Sequence, residues 1–202
     1  MGLTLLCRGL LIGLSIAAPV GPIGVLCIRK TLAQGRSSGL ACGLGAAAAD
    51  GVYGAIAGFG LTAVSNFLIG QLSLLRLVGG CILLWLGSQT FLAKPATEPA
   101  GQPTANLAGG FASTFLLTLT NPMTILSFVA VFAGLGLGTE NPSYAAAGLL
   151  VLGVFLGSAL WWILLSSVVG LIRERCQVSS LDWINRISGI IIVGFGLLAL
   201  LA

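Results

Sequence analysis

Leu14-Ser15-Ile16-Ala17-Ala18-Pro19-Val20-Gly21-Pro22-Ile23-Gly24-Val25-Leu26 sets two prolines inside one apolar run, residues 3–28. A second interruption, Asn121-Pro122, falls inside the run 107–137. Proline in a helix interior removes a hydrogen bond and clashes with the preceding turn, costing about 3 kcal/mol. In hydrocarbon the freed carbonyls have no water to turn to. A chain that breaks one apolar run in each half has a use for the backbone it exposes. Breaks of this kind are where membrane transporters bind substrates and coupling ions.

The surrounding composition requires a membrane. The chain has 202 residues, 57% hydrophobic and only 7% charged, with a mean hydropathy of +1.09. Soluble domains carry about 25% charged residues. The chain is therefore expected to be all-α and polytopic, one transmembrane domain over residues 1–202 with nothing left for a soluble domain. Its 30 glycines suit helices packed through small residues. The net charge of +4 falls in short loops and reads as membrane orientation, not as a nucleic-acid surface. With no histidine, a His-based metal site or proton relay is excluded. Cys7, Cys27, Cys42, Cys81 and Cys176 form no CxxC pair and read as small packing residues. Nothing calls for a cofactor. Ile16-Ala17-Ala18 resembles a signal-peptide cleavage site, but the apolar run continues to Ile28, so it reads as the first span.

Six segments are long enough to cross a core of about 30 Å: residues 3–28, 39–63, 72–93, 107–137, 144–172 and 183–201. The second boundary, around Ser65-Asn66, is the least marked. The first loop reads as holding Arg29, Lys30 and Arg36, the third Lys94, and the fifth Arg173 and Arg175, with Arg186 just beyond. The fourth carries Glu140 and no base. The positive-inside rule places loops one, three and five in the cytoplasm and both termini outside. Arg8 and Arg76 then lie near outer span ends, where they can snorkel. A Pro- and Ala-rich linker, about residues 94–106, divides a first repeat (about 1–93) from a second (about 107–202).

The halves resemble each other. Gly21-Pro22 answers Asn121-Pro122, and Arg76-Leu77-Val78-Gly79 answers Arg186-Ile187-Ser188-Gly189. Two repeats of three spans must insert in opposite directions, which predicts two inverted three-helix repeats with proline-broken spans 1 and 4. The breaks then meet near mid-depth. A half-helix N-terminus there suits a carboxylate, and unwound carbonyls suit an ammonium group. An α-amino acid carries both, although other zwitterions and anions fit equally.

Asp50 is the one acid deep in an apolar span, about 16 Å from Gly39 at 1.5 Å per residue. Ala46, Asp50, Gly54 and Gly58 make a small-residue stripe, widened by Gly43 and Ala47, that should pack on another helix. An acid at that depth faces a bundle interior or a water-filled cavity. It can hold a proton and release it when water or substrate arrives, as proton coupling requires, or it can pair with a substrate ammonium. Tyr53, one turn on, can share the cavity. Ser158 and Trp161 lie in span 5, the repeat partner of span 2. Thr118, Thr120 and Thr124 surround the second break and can satisfy its backbone.

These residues resemble the lysine exporter (LysE/RhtB) family of bacterial amino-acid efflux translocators over nearly the whole chain. The likeness rests on Ala18-Pro19-Val20-Gly21-Pro22, on Gly35-Arg36 with Gly39, and on the stretch from Gly43 to Gly54 that bears Asp50. Gly79, Leu86-Gly87, Asn121-Pro122 and Ile187-Ser188-Gly189 complete it. The resemblance implies a six-helix secondary exporter of amino acids or close derivatives across the bacterial inner membrane, driven by proton or membrane potential. It implies a functional core of Pro19, Gly21, Pro22, Asp50, Asn121 and Pro122, with Tyr53 beside it. The first motif is Pro-Val-Gly-Pro, a variant of the shorter Pro-Gly-Pro of many members, which bears on substrate choice.

A channel, or an exporter of another small zwitterion or cation, would use the same broken helices. A membrane thiol carrier needs a cysteine beside each break, and span 4 has none. A divalent-cation site would need more than one carboxylate. The GxxxG-like pairs Gly9/Gly13, Gly54/Gly58 and Gly153/Gly157 leave intramolecular packing and homo-oligomerisation both open.

Overall fold

In a computed structural model the interrupted runs resolve into pairs of helices. The structure describes residues 2–19, 21–59, 67, 69–93, 106–134, 144–173 and 178–201, except the side chains of 130–134 and 178–181. The expected Ser65-Asn66 boundary, the linker from Lys94, and Glu140 and Arg175 lie outside the described residues.

The first run forms α1 (Gly2–Ala17) and α2 (Pro22–Gln34). The residue before a proline avoids helical geometry, so α1 stops ahead of Ala18-Pro19. Gly21, in an extended conformation at φ −98°, caps α2, and Pro22 occupies its first turn. Proline belongs there because its missing N–H would have had no helical partner. The second run forms α5 (Leu107–Leu119) and α6 (Pro122–Gly134) in the same way. Here the Asn121 side chain accepts a bond from the Met123 amide at 3.1 Å. Both interruptions are thus helix restarts, a cap residue followed by proline, and the axes turn by 81° at the first and 59° at the second.

The remaining helices are α3 (Arg36–Gly58), α4 (Leu72–Leu92), α7 (Tyr144–Arg173) and α8 (Val178–Leu201). Each is long and apolar enough to cross a membrane, and the two bent pairs pass the same test only as pairs. Among the described residues there is no strand. Leu11, Leu77, Trp85, Leu160 and Ile190 are exposed on the outside of the bundle, as lipid-facing residues should be.

One expectation changes at the first loop. Arg29 and Lys30 lie within α2, which runs on to Gln34 and leaves only Gly35 before α3. Lys and Arg are good helix formers, and the Thr31 hydroxyl bonds the Cys27 carbonyl at 2.8 Å. Gly35 makes the turn at φ +97°, a conformation that favours glycine.

Small residues decide which helices touch. Gly9 and Gly13 of α1 lie against the α7 backbone at Gly153 and Val154, and Gly153 and Gly157 against α1 at Leu6 and Leu10. These two pairs are therefore used within one chain. The stripe on α3 also faces α7: Gly54 meets Val154, Gly58 meets Val151, and Gly43 seats Trp162. On its other side Gly45 touches Phe111 and Thr114 of α5. Gly80 and Gly87 bring α4 against α8 at Gly196, Leu200 and Val193. Cys27 and Cys42 are buried together between α2 and α3, while Cys7 and Cys81 are exposed.

Candidate functional site

The two restarts open onto one cavity of about 520 Å³. Ile16, Ala17 and Pro19 line it from the end of α1, and Gly21 to Gly24 from the first turn of α2. Asn121, Pro122, Met123 and Thr124 line it from the start of α6. Two helix N-termini, each carrying the positive end of a helix dipole, therefore face the same space. Asp50 reaches it from α3, with Ala46 one turn before it. Six of the seven residues singled out in the sequence, Pro19, Gly21, Pro22, Asp50, Asn121 and Pro122, thus share one wall system.

Asp50 is 4% exposed and accepts a 2.7 Å hydrogen bond from the hydroxyl of fully buried Ser158 on α7. The carboxyl is therefore held by a neighbouring side chain. Its placement follows from the glycines above and below it, which let α3 approach α7 closely. Tyr53 is the one candidate away from the wall. Its hydroxyl donates to the Leu119 carbonyl at 2.6 Å, and its ring lies 5.4 Å from that of Phe128. Leu119 ends α5, so Tyr53 braces the second break. Thr118 and Thr120 donate to the carbonyls of Thr114 and Leu116, at 2.8 and 3.0 Å, and Thr118 and Thr124 also line the cavity.

Among the wall residues not foreseen from the sequence, Arg76 and Trp162 carry strong hydrogen-bond donors. Arg76 of α4, expected to snorkel at an outer span end, lines the cavity with Asp50 and places a cation on the same wall system as the acid. Trp162 of α7, rather than its neighbour Trp161, lines it too. Its ring is 4% exposed, and its buried indole N–H has no hydrogen-bond partner among the described residues. A buried donor left unpaired costs about 1–3 kcal/mol and calls for an explanation. Ser158, which holds Asp50, stands one turn before Trp162, so once that bond fixes the rotation of α7 the four-residue spacing selects Trp162 over Trp161.

A multi-pass helical protein with two interrupted helices meeting at a cavity that holds one acid and one base has the build of a small-solute translocator. The comparisons agree. The LysE type translocator model matches residues 14–202, and the chain belongs to that family. Among its relatives is the uncharacterized membrane protein YahN of Escherichia coli (strain K12), 32% identical over 84% of this chain and 77% of the relative. YcgF of Bacillus subtilis (strain 168), whose name marks it provisionally as an amino acid efflux protein, is 28% identical over 93% of this chain and 90% of its own length. The threonine efflux protein of Escherichia coli (strain K12) is 27% identical over 88% of each chain. No solved structure matches the chain.

Proposed function

We propose that this protein exports amino acids or close derivatives from the bacterial cytoplasm across the inner membrane, by antiport with protons, using the cavity between the two restarts. The observation that carries the reading is the cavity's division of charge. Asp50 offers a carboxylate for a substrate ammonium. The Trp162 N–H and the first turn of α2 offer donors, and Arg76 and the N-terminal end of α6 offer positive potential, for a substrate carboxylate. Asp50 exchanges its proton for the ammonium, and this couples the two fluxes. The efflux names of the relatives support the direction of transport.

Counting each bent pair as one span gives six. Helix pairing supports two inverted repeats forming one domain: α1 packs on α7 as α5 packs on α3, while α3–α7 and α4–α8 pair across the halves. The described bases support the orientation. Arg29, Lys30, Arg36, Arg173 and Arg186 gather at one end, tied there by Arg29 to Asn185 and by Arg173 to the Leu32 carbonyl. The positive-inside rule makes that end cytoplasmic.

The test is purified protein in liposomes with an imposed pH gradient, screened against the twenty amino acids. Accumulation of an amino acid against its own gradient, abolished when the pH gradient is collapsed, is the expected result. Movement only down the gradient would identify a channel. Uphill transport of an amine but of no amino acid would reassign the cargo to another small cation.

A further inference from the structure

Arg29 spans the end of the bundle opposite the cavity. Its guanidinium donates from Nε to Asn185 Oδ1 at 3.1 Å and from Nη1 to Thr90 Oγ1 at 3.0 Å. Asn185 in turn donates from Nδ2 to the Ala93 carbonyl at 3.2 Å. Thr90 and Asn185 are buried, at 1% and 4% exposure. One side chain therefore ties α2 to both members of the glycine-packed pair α4 and α8. Arg173 adds a tie to α2 from α7, at the Leu32 carbonyl, 2.9 Å away.

The cavity sits toward the other end of the same helices. On α4, Arg76 of the cavity wall and Thr90 are separated by about 21 Å of helical rise. On α8, Asn185 and the wall residue Leu198 are separated by about 20 Å. Between the two levels each helix contributes buried apolar residues to one cluster: Leu26 and Cys27 from α2, Leu83 from α4, and Ile192 from α8. These packed side chains make up the filling between the cavity and the Arg29 end. The bonds of Arg29 hold α2 over that filling. α2 is also the helix with a joint at each end, the Pro19–Pro22 restart and Gly35 at φ +97°.

We propose that Arg29, Thr90 and Asn185 form the latch of an inner gate. While it is fastened, the cavity is closed to the Arg29 end. When it is released, α2 swings on its two joints, the Leu26–Cys27 segment leaves Leu83 and Ile192, and the cavity opens to that end. This inference rests on the cavity being the transport site. Arg29 is a positioning residue in it and never touches substrate. The fork of the guanidinium is essential, since its Nε and Nη1, set apart on two nitrogens, reach Asn185 of α8 and Thr90 of α4 at once, a reach that the single nitrogen of lysine lacks.

Two native thiols report on the gate. In a protein whose Cys7, Cys81 and Cys176 are replaced by serine, only Cys27 and Cys42 remain, and both are buried in the filling. Membrane vesicles of each orientation are treated with a membrane-impermeant maleimide. With the latch intact both thiols should resist labelling from either face. Arg29→Gln should speed labelling from the Arg29 face by roughly tenfold or more, the loss expected for hydrogen bonds to a charged group. Thr90→Ala should give a smaller rise. Arg29→Lys should behave like Arg29→Gln, and Lys30→Gln should change nothing. Unchanged labelling in Arg29→Gln overturns the latch, as does an equal rise from both faces, which reports a loosened fold. A wild-type rate in Arg29→Lys overturns the two-point fork in favour of charge alone. Labelling needs no substrate, so a protein that moves no amino acid would fail the export reading while the gate is still judged on its own result.

Discussion

The Asp50 carboxyl and the Ser158 hydroxyl form a pair that can be taken apart one atom at a time. Asp50→Asn keeps the shape and a bond to Ser158 but removes the proton site. Normal protein levels with uphill efflux lost, and residual downhill flux that no longer varies with pH, are expected in the liposome assay. Efflux with the wild-type pH dependence would remove Asp50 from coupling. Trp162→Phe keeps the ring that Gly43 seats and loses the unpartnered N–H. It should raise KM for amino acids by roughly tenfold, the worth of a hydrogen bond to a charged group. KM for the matching decarboxylated amines should stay unchanged. Tyr53→Phe should act on the fold instead. It loses the bond to Leu119 and about 1 kcal/mol of stability, read as a lower Tm in detergent, with KM preserved. Asp50 was legible in the sequence because a lone acid at mid-span has few explanations. Arg76 and Trp162 were not. A base near a span end also reads as snorkelling, and one of two adjacent tryptophans can be chosen only once the rotation of α7 is known.

At the level of helices, the restarts and the glycine crossings place different demands on the same residue type. At Gly13 an added Cβ would collide with the Val154 carbonyl, and backbone cannot move aside cheaply. Gly13→Ala should destabilise the protein by about 1–3 kcal/mol, as overpacking does. At Gly21 a Cβ would meet nothing within 4 Å, and φ is −98°, open to any residue. Gly21→Ala should leave Tm near that of wild type. Thermal unfolding followed by circular dichroism compares the two, and equal losses would refute the distinction. The prolines made both restarts visible from sequence, because helical geometry gives them few interior roles. The continuation of α2 through Arg29, Lys30 and Thr31 was hidden, because charge at the end of an apolar run ordinarily marks a loop. Those residues stay helical since Arg and Lys favour the helix and Arg29 is bonded by two other helices.

Across the whole bundle, charge and access point along the same axis. Arg29, Lys30, Arg36, Arg173 and Arg186 lie at the filled end, whereas Arg8 and Arg76 lie toward the end where the cavity is found. Positive loops resist translocation, so the proposed orientation sets the filled end in the cytoplasm and both termini outside. On that proposal the conformation is closed inward, with its cavity on the outer side of the filling, as the proposed export cycle requires after release of cargo. Orientation and conformation can be checked together. Alkaline phosphatase fused after Ala202 should be active, and the same enzyme fused after Ala93 should be inactive. A cysteine placed at the wall residue Ser127 should be labelled by an impermeant maleimide from outside, and substrate in excess should slow that labelling. If the fusion after Ala202 were inactive and Ser127→Cys reacted only from the cytoplasm, the axis would be reversed. The filled end would then face outward, and the charge rule would have failed for this chain.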